Sequence, residues 1–115
     1  MLHSHGFIYG DIKPNNFVVG LGADSPLIFV IDFGKCKRYK DKVTGQHIVY
    51  KENVYFSFDP VFASINTHNH IQCSRRDDIE SLLYLIIFMK IGKLPWIKQN
   101  DVLVSVCRLS VAKIR

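Results

Sequence analysis

Four residues have the types and spacing to do chemistry together. Asp11, Lys13 and Asn16 fall within "YGDIKPNNF" (9–17), and Asp32 opens "DFG" (32–34). An aspartate can take a proton from a hydroxyl nucleophile. A lysine two positions on can neutralise a transferring phosphoryl group. An asparagine amide oxygen and a second carboxylate can hold a hard cation such as Mg2+, which usually keeps several waters and takes substrate phosphates as further ligands. Each piece alone is weak. A polar hexapeptide also serves as a turn whose Asn and Asp side chains cap backbone N–H groups. Asp-Phe-Gly alone is also what a strand followed by a turn looks like.

The elements that must position these residues make the combination stronger. "NFVVG" (16–20) and "LIFVIDFG" (27–34) are apolar runs separated by the turn-rich "LGADSP" (21–26), the pattern of a β-hairpin. A hairpin brings its two ends together, so Asn16 and Asp32 are expected at one mouth, with Asp11 and Lys13 beside them. Further on, "DDIESLLYLIIFMK" (77–90) reads as a helix. Ser74 is its expected N-cap, with Asp77 at the capping-box position. Asp77, Asp78 and Glu80 stand where negative charge suits the helix dipole, and Gly92 marks the stop. The helix is apolar nearly all round after its first turn, which predicts burial on most sides and the role of a central post. Residues 34–74 lack sustained periodicity, and an irregular stretch of that length is often functional. Residues 1–8 read as the tail of a helix. "GKLPW" (92–96) reads as a turn, and the last fifteen residues fit helix and strand equally. Both ends look abrupt, so the chain is expected to be a fragment.

The totals exclude more than they select. The chain has 115 residues, 48% of them hydrophobic, enough for one domain or one lobe of a larger one. A net charge of +5 favours acidic partners only weakly. Cys36, Cys73 and Cys107 lie far apart with no Cys-x-x-Cys pair, which argues against a zinc ribbon or a thioredoxin-like site. Such thiols fit a reducing compartment. No secretory leader is visible at the start, and the longest apolar run, "LLYLIIFM" (82–89), is too short to span a bilayer. The basic "GKCKRYKDK" (34–42) could serve nucleic acid or localisation, but with Tyr39 as its one aromatic it reads better as a solvated loop face. "HSH" (3–5) and "HNH" (68–70) lack companion ligands and read as surface or capping histidines. Arg75 and Arg76 read as partners for nearby carboxylates or carbonyls, Pro95 and Trp96 as packing residues.

Taken in order, the motifs resemble a known family. Residues 1–98 are similar to the middle of a protein kinase catalytic domain, and more narrowly to casein kinase 1, with the vaccinia-related kinases as next relatives. The matching stretches are "DIKPNNF" (11–17), "IDFGKCKRYKD" (31–41), "ASINTHNHIQCSRRDDIESL" (63–82) and "LPW" (94–96). The third is the most specific, with "SIN" where most kinases carry Ala-Pro-Glu. The resemblance implies an α+β, protein-kinase-like fold: an incomplete, mostly helical C-terminal lobe with a β-hairpin bearing the catalytic and Asp-Phe-Gly loops. Residues 1–98 would form this partial domain and 99–115 a divergent tail. It implies Asp11 as catalytic base and Lys13 as the catalytic lysine that also contacts ATP phosphate. It further implies Asn16 and Asp32 as ligands of Mg2+ and thereby of the nucleotide. Asp78 would hold the catalytic-loop backbone, and residues 33–66 would bind substrate. The implied activity is serine/threonine phosphorylation of protein substrates from ATP, in the cytoplasm, the nucleus or both, with neither membrane nor nucleic acid as partner.

The chain departs from the family in stated places. It contains no glycine-rich loop and no Val-Ala-x-Lys strand, parts that the kinase template uses to hold ATP. "FDPVFAS" (58–64) replaces the usual Gly-Thr-x-Arg-Tyr-Ala-Ser, so Val61 stands where an arginine would meet anionic substrate groups. Gly10 and Tyr9 replace the usual arginine and histidine before the aspartate. The alternative reading is therefore a truncated, inactive relative that acts as a protein-binding module.

Overall fold

The computed structural model describes residues 2–22, 26–55 and 57–97. Strand β1 (Phe7–Ile8) pairs antiparallel with β4 (Lys37–Arg38), and β2 (Phe17–Val19) pairs antiparallel with β3 (Ile28–Val30). The second pair is the expected hairpin, with Phe17 opposite Val30 and Val19 opposite Ile28. Its ladder continues at both ends. Gly20 N–H donates to the Leu27 carbonyl (3.0 Å), and Ile31 N–H to the Asn16 carbonyl (3.0 Å). The latter bond sets Asp32 one residue beyond the strand pairing, at the end where Asn16 lies.

Helix α1 (Ile65–His68) is a single turn capped by Ser64, whose Oγ accepts the Thr67 N–H (3.1 Å). Helix α2 (Arg75–Ile91) starts and stops where its sequence signals stand. The Asp77 carboxylate reaches back to the Ser74 N–H (2.7 Å). Gly92 adopts the left-handed conformation (φ +78°) and donates to the Phe88 carbonyl (2.7 Å), closing the last turn. The main core joins Phe62, Leu85, Phe88 and Leu94, with Ile12, Phe17 and Leu82 packed against it. Phe62 and Phe88 meet edge to face at 5.5 Å. A smaller cluster of Ile8, Tyr39 and Cys73 lies beneath the β1–β4 pair.

Three expectations need correction. Helix α2 is not buried on most sides: Ile79, Leu83, Ile86 and Ile87 are all exposed, because the cores cover one face only. Residues 3–5 form a short 3-10 turn that passes through Gly6 into β1, rather than ending a longer helix. Irregular backbone connects most of the remaining elements, so the described residues are mixed rather than mostly helical. Within residues 34–74 the order comes from β4, α1, the Lys40–His47 bridge and a turn in which Asp41 accepts the Val43 and Thr44 N–H groups. No helix among the described residues is long and apolar enough to cross a membrane. The readings of Cys107 and of the last fifteen residues lie outside the described residues.

Candidate functional site

The loop that leaves β1 is fixed from α2. Asp78 accepts the N–H of Tyr9 at Oδ2 (2.7 Å) and of Gly10 at Oδ1 (2.8 Å). His3 Nε2 lies 2.7 Å from the same Oδ2. A carboxylate only accepts, so this ring nitrogen is the donor. One buried side chain thus satisfies two loop amides that have no sheet partner. Gly10 needs to be glycine twice over. Its φ is +75°, and a Cβ there would stand 3.2 Å from the Lys35 carbonyl oxygen.

Downstream, Pro14 opens a 3-10 turn (Pro14–Asn16) that buries Asn16 and turns it back on Asp11. Asn16 Nδ2 donates to the Asp11 carbonyl and to Asp11 Oδ2, each at 2.9 Å. Lys13 Nζ stands 2.9 Å from Oδ2, and Lys35 Nζ stands 2.9 Å from Oδ1. Burial pushes the Asp11 carboxyl upward, but the two ammonium groups and the Asn16 amide outweigh it and hold it below the usual carboxylate range. Among the described residues, three of its roughly four lone-pair sites are filled. The open one is on Oδ1, beside Lys35. Tyr9 ties the loop to the hairpin by donating its hydroxyl to the Ile31 carbonyl (2.5 Å), and its ring meets Phe33 edge to face. Burial, then the Asp11 charge, raises its phenol to about 12.

Asp11, Lys13 and Asn16 therefore meet in direct contact, as their spacing suggested. Asp32 makes no hydrogen bond or ion pair to them among the described residues. It is exposed, sits at φ +59°, and accepts one hydrogen bond among the described residues, from the Gly34 N–H (3.1 Å). Its carboxylate is the least committed of the cluster. The Asn16 amide donates both bonds through nitrogen, which leaves its oxygen as the group that could face a cation. The Asn16 amide oxygen and the Asp32 carboxylate are hard oxygen donors of the kind Mg2+ takes together with water and phosphate. Among the described residues no group of three or more His, Cys, Asp or Glu side chains could hold a metal unaided.

Sequence reasoning missed Lys35, His3 and the part played by Asp77. Lys35 was hidden in a basic run that reads as solvated surface. The rest of that run is partly structural: Tyr39 is buried and donates to the His3 carbonyl (2.6 Å), while Arg38 stacks on Phe7. Asp77 holds the "SIN" stretch, accepting Ser64 Oγ (2.7 Å) and Asn66 Nδ2 (3.0 Å). Arg75 covers the Tyr39 ring at 4.6 Å, and Arg76 approaches Asp77 at 3.9 Å. His68 and His70 lie against Phe58 and Tyr55. Val61 packs on the main core, and its carbonyl takes the Trp96 indole N–H (2.8 Å). Next to the loop, an apolar cleft of about 390 Å³ runs between Tyr9, Ile12, Val30, Phe33, Ile79 and Leu82. No family model matches the chain.

Proposed function

We propose that this chain carries the phosphoryl-transfer site of a serine/threonine protein kinase of the casein kinase 1 type, which moves the ATP γ-phosphate to protein hydroxyls. The observation that carries this reading is the buried Asp11 carboxylate, kept ionised by Lys13 and offering one open lone pair. An ionised carboxylate in that setting can accept the hydroxyl proton as the oxygen attacks phosphorus. Lys13 lies where it can neutralise charge on the phosphoryl group. Asn16 and Asp32 would hold Mg2+, which when bound offsets the negative charge of the nucleotide phosphates. Asp78 keeps the loop amides in place, so the base need not be ordered when substrate arrives.

Labelled-phosphate transfer to casein by the wild type and by Asp11→Asn tests the reading. A loss of roughly 10²–10⁴-fold in the variant is expected for a general base. Equal background from both sinks it. A second reading, a kinase relative that serves as a protein-binding module, draws on the exposed apolar residues of β3 and α2 around the cleft. Transfer indistinguishable from Asp11→Asn, together with saturable binding of a protein partner that Ile79→Lys abolishes, is what that reading expects.

A further inference from the structure

Lys35 has no part in the site as derived from sequence, and the family reading assigns it none. Yet its ammonium stands as close to Asp11 as that of Lys13, on the opposite carboxylate oxygen. The charge count around Asp11 is uneven. Two ammonium groups face one carboxylate that is almost wholly buried, so the pair carries one positive charge in excess. The open lone pair of Asp11 is on the Lys35 side. A hydroxyl that reaches it brings the incoming phosphoryl group beside Lys35 as well as Lys13.

We propose that Lys13 and Lys35, each 2.9 Å from an opposite oxygen of Asp11, together form a two-cation cradle for a phosphate group. The inference rests on the kinase reading for its place in the reaction. In that step the hydroxyl O–H bond breaks and its proton goes to Asp11. A new O–P bond forms, and the bond from phosphorus to the leaving ADP oxygen breaks with its electron pair. The product phosphate monoester carries close to two negative charges near neutral pH, matching two cations where Lys13 alone would match one. Among the described contacts each ammonium spends one of its three donors on Asp11, and a half-buried ammonium on a flexible stem can turn the others to a phosphate without backbone movement.

The cradle is testable without turnover. Asp11→Asn removes the resident negative charge and keeps the shape. With inorganic phosphate as the probe, at low salt and without metal, calorimetry should show Asp11→Asn binding about tenfold or more tightly than wild type, the worth of one charge-assisted contact. Adding Lys35→Met to Asp11→Asn should abolish the gain. Phosphate binding unchanged by Asp11→Asn, or a gain that survives Lys35→Met, overturns the proposal. Should Asp11→Asn fail to fold by circular dichroism, Lys35→Met in the otherwise wild-type chain decides. Its phosphate affinity should fall several-fold and Lys35→Arg should restore most of it, whereas unchanged affinity overturns the cradle. Transfer to casein separates this inference from the reading beneath it. An active wild type with an equally fast Lys35→Met variant removes the cradle and leaves the kinase reading standing. Phosphate binding that follows Lys35 in a chain with no transfer removes the kinase reading and leaves the anion site.

Discussion

Along the inner side of α2 run Asp77, Asp78, Ser81, Leu85 and Phe88; along its outer side run Ile79, Leu83, Ile86 and Ile87. The two aspartates are 3% and 5% exposed, while Ile79 and Ile86 are 50% and 52% exposed. Judged by residue type the helix is nearly inside out. Hydrogen bonding explains the inner side. Asp77 accepts from Ser64, Asn66 and Ser74, and Asp78 from Tyr9, Gly10 and His3, so neither carboxylate is buried without partners. Each aspartate organises a different segment: one the loop that bears Asp11, the other the "SIN" turn. The outer side shows the converse, that apolar composition does not by itself bring a surface into a core.

Substitutions can break this contrast. The largest effect is expected at Asp78. Asp78→Ala leaves two loop amides and His3 without their acceptor and should cost about 3–5 kcal/mol, read as a lower urea midpoint. A loss under about 1 kcal/mol would mean that water replaces the carboxylate easily. Leu85→Ala, on the same side, should cost about 2–5 kcal/mol by the same measurement. Gly10→Ala tests backbone alone: the positive φ and the nearby Lys35 carbonyl should make it lose about 1–2 kcal/mol. A neutral result would show that the loop relaxes.

Acid should separate Asp11 from the outer face further. Its carboxyl sits lower in the native state than in the unfolded chain, so the unfolded chain binds its proton first as pH falls. The stability it contributes is complete above the unfolded value of about 4 and fades as pH drops through the native value. The gap in urea midpoint between wild type and Asp11→Asn should therefore shrink below about pH 4, and a gap constant with pH contradicts this. The smallest effect on stability belongs to the outer face. Ile86→Lys should change it by no more than about 0.5 kcal/mol while raising solubility, because it interrupts a contiguous apolar surface. Destabilisation comparable to Leu85→Ala would show that Ile86 is covered in solution.

The sequence made the ends of α2 legible because capping is local: Ser74, Asp77 and Gly92 each act within a turn of their own position. It made the hairpin legible for the same reason, and with it the shared end of Asn16 and Asp32. The inner face of α2 was not legible, since four outer apolar residues look no different from core residues without their neighbours. Lys35 was hidden in another way. Its partner lies 24 residues away across two strands, and nothing in a basic run marks which lysine turns inward. His3 was passed over because its acceptor stands 75 positions along the chain.

The Asp78 contacts have a consequence in time. They join residues 69 and 68 positions apart, so the loop amides wait for most of the chain before they gain their acceptor. At ordinary translation speeds that delay is about 3–14 s, far longer than a helix or hairpin takes to form. On a ribosome the nascent loop would spend that interval without its Asp78 acceptor, held only by contacts within residues 9–35. A pause or truncation before codon 78 would leave every residue of the Asp11 cluster synthesised but the amides of Tyr9 and Gly10 unclamped.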